Sequence, residues 1–121
     1  MDKKIIFLDL DGTLTNDEKK VTPLTQKALL EMQKAGHIVV LASGRPTPGI
    51  LPVAKAVELE KFGGYIMAFN GGKIINAKTN EVVFEQVLDR KYISPLLKYA
   101  KENDIGLITY DDKRIIVGTR M

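Results

Sequence analysis

Three short apolar runs, each closed by a polar tip and separated from the next by a helical segment, constrain this chain most. The runs are "KKIIFLDL", "HIVVLAS" and "YIMAF". Their length and their β-branched and aromatic content fit buried strands. Between the first two lies "TPLTQKALLEMQKAG", where Ala28, Leu29, Met32 and Ala35 recur at helical spacing. Thr22 suits an N-cap, Pro23 the first helical position and Gly36 the stop. The "GRPTPG" stretch breaks the chain, and "ILPVAKAVELEKF" predicts one further helix carrying Leu51, Ala54, Val57 and Leu59. Pro52 falls near its expected start, where proline is tolerated. Strand, helix, strand, helix, strand argues for an α/β fold with parallel strands. In such sheets ligands bind beyond the carboxyl ends of the strands. Those ends carry Asp9 and Asp11, then Ser43, Gly44 and Arg45, then Asn70 and Gly71.

The remainder changes character. "GKIINAKTNEVVFEQ" predicts two strands joined by a turn at Lys78, Thr79 and Asn80. "DRKYISPLLKYAKEND" predicts an amphipathic helix, and "IGLITYDDKRIIVG" a hairpin turning through Asp111, Asp112 and Lys113. The change of pattern divides the chain into residues 1–80 and 81–121.

Composition excludes several classes of function. The net charge of +3 comes from cations scattered among acids, which describes a solvated surface rather than a nucleic-acid face. With no Trp, and four Tyr and four Phe not interleaved with basic residues, no stacking platform for bases is present. The absence of Cys excludes disulfides, thiolate metal sites and a cysteine nucleophile. The first apolar run is too short to span a membrane, is interrupted by Asp9, and lacks the form of a signal peptide. A cytoplasmic protein is expected.

A carboxylate at the end of a buried strand loses hydration and needs a cation or strong hydrogen bonds. "DLDGTL" puts two there, followed by Gly12, which permits a tight turn, and Thr13 with a hydroxyl and an N–H. Such an oxygen-rich pair suits Mg²⁺, which keeps several waters and takes one or two carboxylates. The lone histidine, His37, sits at the start of the second strand, away from these tips, and reads as a packing or helix-end residue.

"FLDLDGTLT" and "VVLASGRP" resemble the first two motifs of the haloacid dehalogenase (HAD) superfamily of phosphotransferases. "AFNGGKII" resembles the Cof-type subfamily, whose members carry a large α/β cap. The resemblance implies a Rossmann-like core, here its first three strands and two helices, followed by part of an α+β cap. It implies a phosphatase of small phosphorylated metabolites, sugar phosphates among them, working through an aspartyl-phosphate. Asp9 would be the nucleophile and Asp11 the general acid and base. Mg²⁺ would bind the Asp9 carboxylate and the Asp11 backbone carbonyl. Thr13, Ser43 and Gly44 would hold the phosphoryl group. Arg45 and Asn70 are candidates for substrate contact; Arg45 could equally lock its loop, and Asn70 could equally serve the turn.

The family pattern also calls for a later Lys and a later acidic cluster, and the 121 residues do not supply them after the cap-like segment. Asp111, Asp112 and Lys113 form a decoy, since they fall at an expected hairpin turn. The expectation is therefore part of a longer enzyme, with self-association through uncovered sheet edges. The alternative is a catalytically inactive metal- or phosphate-binding module, or one completed by a partner chain. A phosphorylatable receiver domain would need an Asp at the third strand tip, where the chain has "AFNGG".

Overall fold

The computed structural model describes residues 2–110 and 114–119. The chain divides into two compact units, Met1–Glu85 and Gln86–Met121.

The first unit is a five-stranded sheet in the order β1 (Ile5–Asp9), β2 (Ile38–Ala42), β3 (Tyr65–Ala68), β4 (Lys73–Asn76), β5 (Val82–Glu85). β1, β2 and β3 are parallel, with Asp9 opposite Ala42 and Ala42 opposite Met67. β4 and β5 turn back antiparallel. The division between units lies a few residues beyond the 80/81 boundary expected from the pattern, because β5 is hydrogen-bonded to β4 as a member of the same sheet.

Local signals account for α1 (Pro23–Lys34). The Thr22 hydroxyl accepts the Thr25 N–H at 3.4 Å, and Pro23 opens the helix. Gly36, at φ +99°, closes it: His37 N–H donates to the Met32 carbonyl and Gly36 N–H to that of Gln33. This is a Schellman ending, which needs a left-handed residue at that point.

The second helical segment differs from expectation in two ways. It starts earlier, at Thr47, and it is split into α2 (Thr47–Ala56) and α3 (Leu59–Phe62). Pro48 fits the first turn, so the helix begins inside the presumed break, and Pro52 then lies in the helix interior rather than near its start. The split occurs at Glu58, whose φ is +53°. That left-handed residue lets Val57 and Leu59 on either side both bury completely.

α1 and α2 lie side by side. The Gln26 carboxamide donates to Ala56 O at 2.7 Å, and that of Gln33 donates to Val57 O at 2.8 Å. Together they cover one face of the sheet. Leu29, Ile50, Val53 and Ala54 pack there with Val39, Leu41, Ile66 and Ala68. Alternation along β1 sends Ile5, Phe7 and Asp9 to the opposite face, where Ile5 is 57% and Phe7 61% exposed.

In the second unit α4 (Ile93–Glu102) packs on β7 (Ile115–Thr119), which pairs antiparallel with β6 (Leu107–Tyr110). Ala100 on α4 is buried. The expected turn residues Asp111, Asp112 and Lys113 lie outside the described residues. Among the described residues, no helix is long and apolar enough to cross a membrane.

Candidate active site

The three parallel strands end at Asp9, Ala42 and Ala68, so the loops that follow share one edge of the sheet. The first loop is pinned from within. Leu10 is fully buried, and its carbonyl accepts the N–H groups of Thr13 (3.1 Å) and Thr15 (3.0 Å) and the Thr15 hydroxyl (3.0 Å). The Asp9 carbonyl accepts Leu14 N–H at 3.1 Å. Gly12 takes φ +81°, a value that favours glycine. A buried Leu between two exposed acids anchors the turn and leaves both acids in solvent.

The two carboxylates differ in their surroundings. Asp9 forms no ion pair among the described residues. Asp11 is clamped. Arg45 Nε donates to Asp11 Oδ2 at 3.1 Å, Arg45 Nη2 makes a close ion pair with Oδ1, and Lys19 Nζ lies 3.1 Å from the same oxygen. A bidentate guanidinium contact is the strongest common form of such pairing. The hydrogen bond from Arg45, and then that from Lys19, pull the Asp11 pKa down from 3.8 to about 2. Asp11 is therefore ionised throughout the neutral range.

The second loop is partly enclosed. Ser43 is 8% exposed, and its Oγ accepts the Arg45 N–H at 3.0 Å. Arg45 also donates from Nη1 to the Gly49 carbonyl at 2.9 Å, which ties the loop to the first turn of α2. The Gly44 N–H makes no hydrogen bond with a described residue. At the third tip, Asn70 N–H donates to the Ser43 carbonyl and Phe69 N–H to that of Arg45, both at 3.0 Å. The structure thus brings Asp11, Ser43, Arg45 and Asn70 into one hydrogen-bonded network that includes Lys19, with Gly44 held in the chain between two of its members. Thr13 is exposed, and its N–H is already engaged by Leu10, so only its hydroxyl is left to meet a ligand.

Lys19 joins the site without a sequence signal. It lies in the polar stretch "NDEKK" with φ +65°, in a turn where Asn16 Oδ1 accepts the Glu18 and Lys20 N–H groups. Nothing in the sequence distinguishes it from Lys20. His37 sits at the other end of the sheet, where its Nδ1 accepts the Lys4 N–H at 3.1 Å.

The donors present are hard oxygens. Among the described residues no three His, Cys, Asp or Glu side chains cluster tightly enough to hold a metal by themselves. An exposed Asp9 carboxylate with no cation paired to it among the described residues fits a water-rich cation such as Mg²⁺, and does not fit a cation that needs a full protein cage.

The family model for haloacid dehalogenase-like hydrolases matches residues 6–120. YxeH of Bacillus subtilis is 32% identical over 117 residues, covering 97% of this chain and 43% of that protein. YcsE of the same organism, named a 5-amino-6-(5-phospho-D-ribitylamino)uracil phosphatase, is 33% identical over 82 residues, covering 68% of this chain and 32% of that protein. The solved structure of a haloacid dehalogenase-like hydrolase from Bacteroides thetaiotaomicron matches with a TM-score of 0.89 at 41% identity, covering 96% of this chain and 44% of that one. The chain spans less than half the length of each of these relatives. Motif order, parallel sheet and comparisons agree: the chain belongs to the haloacid dehalogenase-like hydrolases.

Proposed function

We propose that this chain supplies the nucleophile and phosphate-binding loops of a Mg²⁺-dependent phosphatase of small phosphorylated metabolites. The observation that carries the reading is the contrast at the tip of β1, with one carboxylate free and the other held by cations. The name of YcsE, a phosphatase of a small phosphorylated ribityl compound, supports the substrate class.

Asp9, exposed and unpaired, is the nucleophile. Its Oδ–P bond forms as the P–O bond to the leaving alkoxide breaks, and Asp11 gives that oxygen a proton. Water then attacks phosphorus, its proton passes to Asp11, and the Asp9–phosphate bond breaks. Ser43 Oγ–H and Gly44 N–H donate to the phosphoryl oxygens. The Asp9 carboxylate and the Asp11 backbone carbonyl would hold Mg²⁺, which would supply charge neutralisation between nucleophile and phosphate. Held by Arg45 and Lys19, Asp11 is in its base form, suited to the water step. The acid step requires those two cations to leave Asp11 for the incoming phosphoryl group and the carboxylate to gain a proton, which the like charge of the phosphate dianion beside it favours. Arg45 in that position is a substrate contact.

Complete charge balance needs further groups, supplied by more of a longer protein or by a second chain. One observation favours the second reading, a module that binds metal or phosphate without turnover: no three-carboxylate cluster exists among the described residues. Hydrolysis of a chromogenic phosphate ester by this chain with Mg²⁺, beside Asp9→Asn, tests both. Activity lost in the variant supports the enzyme, and equal activity in the two overturns Asp9 as nucleophile. Mg²⁺ or phosphate binding without turnover in either protein supports the module.

A further inference from the structure

Gly44 is a glycine for a reason its own backbone does not supply. Its φ is not among the positive values, so an alanine there would be unstrained by conformation. What a Cβ at this position would meet is one side chain, Asn70, with Oδ1 at 3.0 Å, Nδ2 at 3.3 Å and Cγ at 3.5 Å. Real Cβ atoms seldom approach a neighbour that closely, so either Asn70 yields or the loop shifts.

Asn70 belongs to an unusual turn. Phe69, Asn70 and Gly71 take φ of +52°, +55° and +94° in succession. Left-handed backbone is disfavoured for residues with a Cβ; asparagine tolerates it better than most, and phenylalanine does not share that tolerance. Such a turn persists only where its surroundings hold it. Here the partners are the neighbouring loop. Phe69 N–H donates to Arg45 O, Asn70 N–H donates to Ser43 O, and Met67 O accepts Ser43 N–H, all at 3.0 Å. Residues 67–70 therefore grip both ends of the Ser43–Arg45 loop through the backbone, and the Asn70 carboxamide lies over its middle.

We propose that Asn70 is a positioning residue: its N–H holds the Ser43 carbonyl and its carboxamide seats Gly44, so that the Gly44 N–H faces outward without a protein partner. Its function for phosphate rests on the reading of Gly44 given above; its grip on the loop does not. The glycine at position 44 and the asparagine at position 70 are then one coupled unit. The carboxamide serves the loop instead of contacting substrate.

A double-mutant cycle on the 121-residue chain tests this, with Gly44→Ala, Asn70→Gly and the two combined. Glycine at position 70 keeps the N–H and accepts the left-handed backbone while removing the carboxamide. Two readouts are used: Tm, and the amide resonance of residue 44 by NMR during titration with inorganic phosphate in the presence of Mg²⁺. Gly44→Ala is expected to lower Tm by ~5 °C and to weaken phosphate binding about tenfold, which corresponds to ~1.4 kcal/mol. Asn70→Gly alone should leave residue 44 unseated and weaken phosphate binding. The combined variant should recover most of the Tm loss, because the added methyl then has room, and should keep the phosphate loss without adding to it, because the carboxamide that seats residue 44 is absent. Additive losses, or a Gly44→Ala protein with unchanged Tm and phosphate affinity, would overturn the coupling. Asn70→Gly weakening phosphate binding while the Tm of Gly44→Ala is not rescued in the combined variant would make Asn70 a ligand contact, and would also overturn it. If the wild-type amide does not respond to phosphate, the phosphate reading fails, and the Tm cycle still decides the coupling.

Discussion

The ion pair between Arg45 and Asp11 offers the most direct test of the site. Replacing Arg45 with Met removes the bidentate donor and retains much of its aliphatic volume. Arg45 is the larger cause of the low Asp11 pKa, and Lys19, 3.1 Å from Oδ1, is the smaller. In the metal-free protein the Asp11 carboxyl should titrate at about 2, against an ordinary value of 3.8. In Arg45→Met it should rise most of the way back, stopping short because Lys19 remains. Adding Lys19→Met should complete the return. Carboxyl-detected NMR of Asp11 with chelator present measures this, and repetition in 1 M salt should reduce the difference, since the groups are exposed and the Debye length falls to ~3 Å. The sign for stability follows from linkage. A carboxyl with a depressed folded pKa stabilises the fold above its unfolded value and loses that contribution as pH falls through the folded one. Asp11 therefore contributes fully above about pH 4 and ceases to contribute below about pH 2. The wild type should lose stability across that window relative to Arg45→Met. An Asp11 carboxyl titrating near 3.8 in the wild type, or unmoved by Arg45→Met, would refute the clamp.

Other substitutions probe the frame that carries the site. Gly64→Ala would set a Cβ 2.3 Å from the Val39 carbonyl oxygen and 2.4 Å from Leu59 Cδ1; the backbone must move, and a loss of at least ~1–3 kcal/mol is expected in urea unfolding, with an unchanged midpoint counting against the packing described. Leu10→Ala removes a fully buried side chain between the two acids, which should cost ~2–5 kcal/mol and loosen the loop from Leu10 to Thr15, read as faster amide exchange at Thr13 and Thr15. The face of β1 that exposes Ile5 and Phe7 should drive self-association; light scattering at high concentration should show oligomers that Phe7→Lys diminishes, and a monodisperse wild-type monomer would refute this.

Much of the frame was written in local pattern. The strands β1, β2 and β3, the start of α1 at Thr22 and Pro23, and its end at Gly36 each depend on residues within a few positions of one another. Such signals survive without knowledge of the fold, because caps, turns and periodicity act over one or two turns of chain. The same holds for the identity of the strand tips: a parallel sheet of short crossovers brings Asp9, Ser43 and Asn70 to one edge whatever the side chains do. What the side chains do there was decided by tertiary structure. Arg45 reaches Asp11 across 34 positions of sequence, and Lys19 joins from a loop that looks like any other polar stretch. Asn70 accounts for Gly44 only when β3 stands beside β2 in the observed register. The break at Glu58 is likewise tertiary, since a helix-forming sequence was bent so that Val57 and Leu59 could both reach the core. The hairpin of β4 and β5 is legible from its turn, but its membership of the first sheet rests on the pairing of β4 with β3, which no pattern along one strand reveals. The physical reason is the same in each case. Local propensity depends on neighbours in sequence, whereas a partner for a charge, a carbonyl or an apolar edge is set by register and packing between elements far apart in the chain.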